Sequence, residues 1–168
     1  MKRLLTLTAA VLALVMVLSL SACGGDSEPA AEETADTAVT ADLSALRDQI
    51  IADCGISDFV NVETDALTNL YGIDAAGVAS SASFSATSGA AFPQEIVMVQ
   101  AVDDAAAADI AEKLTNRLNA IAEQAASYDP ASLELAENCA VVTNGSYVGM
   151  FFSDQYDAMV SAFQNALG

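Results

Sequence analysis

Histidine and tryptophan are both absent from the 168 residues of this chain. Without histidine, the chain cannot build a Ser–His or Cys–His catalytic pair, or a zinc site that uses imidazole. The sequence also has no glycine-rich phosphate loop and no EF-hand calcium loop. We therefore expect no catalytic residue, no cofactor and no metal site, and we expect a protein that is not an enzyme.

Positive charge is scarce as well. Lys2 and Arg3 lie at the N-terminus. The chain has three other basic residues, Arg47, Lys113 and Arg117, compared with 23 acidic residues. A mature chain that lacks Lys2 and Arg3 has a net charge of −20. Such a surface repels phosphate backbones, which excludes nucleic acid as a partner, and it also repels anionic lipid headgroups.

The first 22 residues have the layout of a secretory signal: two basic residues, an apolar run over residues 4–20, and then small residues. The sequence LSAC at residues 20–23 resembles the lipobox of bacterial lipoproteins. In a lipobox, the chain is cut before the cysteine, whose thiol carries a diacylglyceryl group with chains such as palmitate. An uncleaved membrane helix and an ordinary secretory signal are the alternatives. The apolar run is shorter than the roughly 20 residues of a spanning helix, and the complete four-residue match favours lipidation.

We therefore expect Cys23 to anchor the protein in the outer face of the cell membrane. Residues 24–41 read GGDSEPAAEETADTAVTA, a composition typical of a disordered linker because it has no aromatic residue and no sizeable apolar cluster. As a flexible coil this linker would span about 25 Å. Residues 42–168 remain for a single domain, which is large enough to bury a core without a metal or several disulfides.

Apolar spacing and capping residues predict five helices in this domain. They begin near residues 43, 65, 104, 130 and 156, and the longest has its apolar residues at steps of three and four. The predicted N-caps are Asp42, Thr64, Asp103, Asp129 and either Ser153 or Asp154. The apolar stripe of the longest helix comprises Ala107, Ile110, Leu114, Leu118, Ile121 and Ala125.

Four strands are predicted between these helices. Residues 78–86 alternate between apolar and small polar side chains, and residues 96–99 form a continuous apolar run suited to a central strand. Asn144-Gly145 predicts a tight hairpin turn between two further strands. Because tight hairpins join antiparallel strands, we expect an α+β fold: a two-layer sandwich of about four mainly antiparallel strands backed by helices.

The order of several short motifs resembles a family of small bacterial lipoproteins that carry domain of unknown function 4358. The resemblance covers nearly all of residues 50–167. It rests on LYGID at 70–74, EIVMV at 95–99, Arg117, YDP at 128–130, GSYV at 145–148, SD at 153–154 and Phe163. It implies an exported lipoprotein with an α+β domain. The family has no assigned activity, so the resemblance transfers no catalytic residue.

Two sets of residues are candidates for binding. Tyr71, Tyr128 and Tyr147 could line a ligand surface, although aromatic residues at the ends of helices and strands are more often part of the core. Lys113 and Arg117 are one helical turn apart and could bind an anion. Solvent-exposed ion pairs with acidic neighbours are the alternative that we favour for these two side chains.

Cys54 and Cys139 remain after the lipidated cysteine. An exported domain with two cysteines more often pairs them than leaves them reduced. We therefore expect a disulfide between Cys54 and Cys139, with two free thiols as the alternative. The family resemblance does not require this pair.

These observations together favour a non-enzymatic, lipid-anchored domain that binds or scaffolds an envelope protein or a small ligand outside the cell. Two alternatives stay open. One is a surface enzyme that acts on the envelope with acidic residues only, and the other is an envelope assembly factor.

The lipobox predicts that Cys23 is the N-terminal residue of the mature protein. Intact-mass measurement should show the loss of residues 1–22 and the gain of a diacylglyceryl group. A Cys23→Ala variant should lose that mass and leave the membrane fraction. An unmodified Cys23 in the wild-type protein would contradict the prediction.

Overall fold

The computed structural model describes residues 40–87 and 91–168. The predicted signal peptide, Cys23 and most of the predicted linker lie outside the described residues, as do residues 88–90. Within the described ranges, six strands form one antiparallel sheet. The strands are β1 Phe59–Val62, β2 Val78–Ser81, β3 Ser83–Ala86, β4 Gln94–Ala101, β5 Val141–Asn144 and β6 Tyr147–Phe152.

Strand β4 lies at the centre of the sheet. It pairs with β2 and β3 along one side and with β6 along the other, in the order β1-β3-β4-β6-β5. The apolar run predicted for a central strand is confirmed, because residues 96–99 are fully buried. Ile96 and Met98 face one core cluster, and Val97 and Val99 face another.

Strands β2 and β3 were predicted as one continuous strand over residues 78–86. The structure divides it at Ala82, and the register of β2 against β4 shifts between Val78 and Ser80. The Ala82 N–H donates to the Met98 carbonyl at 3.0 Å, while the Met98 N–H donates to the Ser83 hydroxyl at 3.2 Å. A side-chain oxygen thus satisfies the backbone donor that the break between β2 and β3 leaves without a ladder partner.

Helices cover both faces of the sheet. Helices α2 Thr64–Tyr71, α3 Asp104–Ala125 and α4 Pro130–Asn138 contribute to the cluster that contains Val97, whereas α1 Leu43–Asp53 and α5 Tyr156–Leu167 contribute to the cluster that contains Ile96. The α+β class and the antiparallel sheet are confirmed. The structure has six strands where about four were expected, and three layers where two were expected. The reason is that β4 and β6 are apolar on both faces, so each face needs its own helical cover.

Three of the predicted N-caps are confirmed. The Asp42 carboxylate accepts from the Ser44 and Ala45 amides at 2.9 and 3.0 Å. Asp103 accepts from the Ala106 amide at 2.8 Å, and Asp129 accepts from the Ser132 amide at 3.2 Å. The buried residues of α3 are those of the predicted apolar stripe.

Two predicted caps and the predicted hairpin turn are displaced. Thr64 is the first residue of α2 and not its cap, because its hydroxyl is hydrogen-bonded to that of Ser81 at 2.8 Å. Gln155 holds the cap position of α5 in place of Ser153 or Asp154. The hairpin turn is moved by one residue. Asn144 still pairs with Tyr147 in the ladder, so the turn consists of Gly145, at φ +54°, and Ser146.

Strand β1 was not predicted. Its four residues are mostly exposed and have no clear alternation, which is typical of a short edge strand. Among the described residues, no helix combines the length and the hydropathy that a membrane span needs.

The packing of β6 makes Gly149 a sensitive position. A Cβ atom added there would lie 2.7 Å from Cε2 of Phe151 and 3.3 Å from Cζ of Phe163, and both rings are fully buried. We expect Gly149→Ala to lower the free energy of unfolding by about 1–3 kcal/mol, as overpacked cores do. Gly77→Ala is the matched control, because its Cβ would meet Ala106 at an ordinary 3.4 Å. Equal denaturant midpoints for the two variants would contradict the prediction.

Candidate functional site

The two basic residues of helix α3 do not form a joint anion site. Lys113 donates to the Asp109 carboxylate at 2.6 Å in an exposed pair, as the alternative interpretation expected. Arg117 turns toward the sheet and forms two hydrogen bonds with Glu95 of β4, the Nε–Oε2 bond measuring 3.0 Å. The anion-binding hypothesis is therefore corrected, because each cation already has a carboxylate partner.

Glu95 is the buried end of this ion pair, with only 5% of its surface exposed. The hydroxyl of Tyr71 also faces the Glu95 carboxylate, and burial together with that negative charge raises the pKa of Tyr71 well above its ordinary range. The hydrogen bonds that Arg117 donates to the Glu95 carboxylate raise the pKa of Arg117 in turn. The cluster of Tyr71, Glu95 and Arg117 is thus a satisfied polar group that joins α2 and α3 to the sheet.

The sequence placed Glu95 within a motif of the resemblance but gave it no role. The available signal was a single carboxylate at the start of an otherwise apolar strand. A buried carboxylate requires a partner, and only three basic residues follow Cys23. The sequence could therefore have predicted that Glu95 pairs with a basic side chain, but not with which of the three.

The three candidate tyrosines do not share a surface. Tyr71 and Tyr147 are buried in different core clusters, and the Tyr147 hydroxyl accepts from the Ala41 amide at 2.9 Å. Tyr128 is 64% exposed and stacks on Phe92 with 6.1 Å between ring centroids. The hypothesis of one tyrosine-lined surface is corrected, since two of its three members are core residues.

The expected disulfide is not formed in this structure, where Cys54 and Cys139 both have free thiols. Cys139 belongs to the core cluster on one side of the sheet, and Cys54 packs at the margin of the cluster on the other side. The Cys139 thiol points toward the Ser153 carbonyl, 4.0 Å away. Burial raises the pKa of both thiols, which favours their neutral forms.

A cleft of about 880 Å³ lies between helix α4 and the start of helix α5. It opens where β6 ends and residues 153–155 lead the chain into α5. These two helices belong to opposite layers of the fold, so the cleft joins the layers beyond the end of the sheet. Its lining residues are Ala131, Ser132, Glu134, Leu135, Asn138, Cys139, Ser153, Asp154, Gln155, Tyr156, Asp157 and Ala158.

Hydrogen bonds fix the segment of residues 153–155 that lines this cleft. The Ser153 hydroxyl donates to the Gln94 side chain at 3.0 Å and accepts from the Gln155 amide at 3.1 Å. The Gln94 side chain donates in turn to Asp154 at 3.1 Å, and the Gln155 side chain donates to the Cys54 carbonyl at 3.1 Å. The segment that bears the cleft residues is thus tied to β4 and to the end of α1.

The cleft has an apolar wall and an acidic rim. Leu135, Tyr156 and Cys139 are buried or partly buried, whereas Glu134, Asp154 and Asp157 are exposed. Burial also raises the pKa of Tyr156, which keeps its hydroxyl protonated. This arrangement suits non-covalent binding, because an apolar surface lies beside charged groups that can orient a ligand. The sequence did not reveal this site, since α4 and α5 meet only through the tertiary fold.

A second cavity of about 200 Å³ lies on the other side of the same segment, and Asp154 and Gln155 line both cavities. Within residues 40–87 and 91–168, no three potential metal ligands of the His, Cys, Asp and Glu types converge.

The ion pair on β4 leads to a stability prediction. Arg117→Met would leave the buried Glu95 carboxylate without its cation, at an expected cost of about 2–3 kcal/mol in the free energy of unfolding. This cost is below the roughly 3–5 kcal/mol typical of a fully buried pair, because the Arg117 side chain is 30% exposed. Replacing both residues by Met should recover at least half of that loss.

Lys113→Met is the matched control on the same helix. Its pair is exposed, and we expect a change below about 0.5 kcal/mol. Urea unfolding of the three variants checks the prediction. Equal effects of Arg117→Met and Lys113→Met would contradict it.

Comparisons of the chain with curated proteins and with solved structures give no match. One protein-family model does match, with the description "Domain of unknown function (DUF4358)", over residues 52–153. The matched range includes Glu95 and Arg117, strands β1 to β6, and the Ser153 end of the cleft. Because the match spans more than half of the chain, the protein belongs to the DUF4358 family.

Proposed function

We propose that this protein is a lipid-anchored extracytoplasmic binding protein whose domain holds a ligand in the cleft between α4 and α5. The cleft carries the proposal: its volume is in the range of small-molecule sites, and it combines an apolar wall with a few polar groups. The hydrogen bonds of residues 153–155 support it further, because a site held in place before binding loses less entropy when the ligand enters.

The arrangement of acidic side chains favours binding over catalysis. A general acid or base usually has its pKa tuned by burial or by a close charged neighbour. In the cleft, the three carboxylates are exposed, and the buried carboxylate Glu95 is paired with Arg117 outside it. The Cys139 thiol, whose pKa is raised by burial, is not activated as a nucleophile.

The proposed anchor complements this activity. A diacylated Cys23 would hold the domain at the membrane, with residues 24–41 as a tether of about 25 Å. Such a tether confines the domain near the envelope, which raises the effective concentration of ligands held in the same layer.

Blocking the cleft tests the proposal. Ala158 lines the cleft and is exposed, so Ala158→Trp should fill the space without disturbing the core. We expect fragments that bind the full-length wild-type protein, detected by ligand-observed NMR in uncharged detergent, to bind this variant at least tenfold more weakly.

Ala108→Trp on the exposed side of α3 is the matched control, and it should leave fragment binding unchanged. Thermal unfolding of both variants separates lost binding from lost stability. If no fragment distinguishes Ala158→Trp from Ala108→Trp, the cleft is not the binding site and the proposal fails.

A further inference from the structure

Among residues 40–87 and 91–168, the cleft carboxylates have no cationic partner. Only three basic residues follow Cys23. Arg47 pairs with Asp48 at 2.7 Å, Lys113 pairs with Asp109 at 2.6 Å, and Arg117 pairs with Glu95. In the described part of the chain, no basic side chain is therefore left to neutralise the rim of the cleft.

The three rim carboxylates come from different parts of the fold. Glu134 lies on α4, Asp157 lies in the first turn of α5, and Asp154 lies on the segment between β6 and α5. The Gln94 amide holds Asp154, but this neutral donor leaves its charge in place. A ligand in the cleft thus meets negative charge on both of its walls.

The apolar wall of the cleft is the second feature that a ligand has to match, after the negative charge of the rim. Leu135 and Tyr156 are partly buried and offer an aliphatic and an aromatic surface beside the carboxylates. An ammonium group next to a tyrosine ring gains cation–π attraction, and a methylene chain gains contact with Leu135. A bare metal ion would use neither surface.

Neither the linker nor a second copy of the domain can supply such an occupant. The linker at residues 24–41 contains five acidic residues and no basic residue, so the rim would repel it. A second copy of the domain would bring only the same three basic residues, each already paired. The occupant must therefore come from outside.

We infer that the cleft binds a small aliphatic polyammonium ligand, with ammonium groups at Glu134, Asp154 and Asp157 and the methylene chain against Leu135 and Tyr156. This inference rests on the proposed function, because it names the ligand class of the same cleft. The binding is non-covalent, and the carboxylates act as charge partners and as hydrogen-bond acceptors.

Spermidine is the probe for this inference. Isothermal titration calorimetry with the full-length protein, in uncharged detergent and about 0.15 M salt, should show one saturable site. Glu134→Gln combined with Asp157→Asn should raise the spermidine Kd at least tenfold, because each ammonium contact at an exposed carboxylate contributes several-fold in affinity.

Glu112→Gln combined with Glu123→Gln is the matched control. It removes the same charge from exposed positions of α3, and it should change the Kd less than twofold. Equal weakening by both double variants would mean diffuse counter-ion attraction and would overturn the inference. Binding of 1,5-pentanediol as tight as that of 1,5-diaminopentane would overturn it too, as would displacement of spermidine by 1 mM calcium.

Competition with fragments separates this inference from the proposed function. If neutral fragments bind the cleft of the wild-type protein and spermidine does not displace them, the inference fails while the proposed binding function stands. If neither spermidine nor any fragment binds in a way that Ala158→Trp blocks, both fail.

Discussion

Pairing between β4 and β6 is the constraint on which the rest of this structure depends. Six residue pairs, from Glu95 opposite Phe152 to Gln100 opposite Tyr147, hold the two strands together. Antiparallel sheets often leave one face in water, but here the apolar residues of both strands point to both faces. The fold therefore needs helices on two sides, and α1 and α5 cover one face while α2, α3 and α4 cover the other.

The register of that pairing also positions the hydrogen-bonded segment at the cleft and the buried ion pair on β4. Because Glu95 lies opposite Phe152, the preceding residue Gln94 lies beside Ser153, where its side chain fixes the segment at the cleft. Successive side chains of a strand point to opposite faces, so Glu95 points away from Gln94 and meets Arg117 of α3. Of these two neighbouring residues of β4, Gln94 thus takes part in the hydrogen bonds at the cleft and Glu95 forms the buried ion pair.

Local chemistry made several features predictable from the sequence. The Asp42, Asp103 and Asp129 caps and the stripe of α3 depend on residues within a few positions of one another, and the structure confirms all of them. The apolar run of β4 similarly contained enough information to place it at the centre of the sheet. The same continuous run also indicated that both faces of β4 are covered. The prediction of a two-layer fold did not take this into account.

The features that were missed depend on distant parts of the chain. Glu95 and Arg117 are 22 positions apart, and their pairing follows from how α3 crosses the sheet. Tyr71 and Tyr147 lie on opposite sides of the sheet, and so do Cys54 and Cys139. The sequence alone did not show which face each of these side chains occupies. The cleft likewise exists only where helices from two layers come together.

The scarcity of basic residues connects the sequence to the proposed site. On an open surface, excess carboxylates are well solvated, and their charge contributes mainly to solubility. The rim of the cleft differs because Glu134, Asp154 and Asp157 border the partly buried Leu135 and Tyr156, where water screens charge less effectively. A cation in the cleft would therefore interact more strongly than the same cation at Glu112 on the exposed side of α3. The negative charge of the chain would then also select the ligand, because the three basic side chains of the described residues are paired elsewhere.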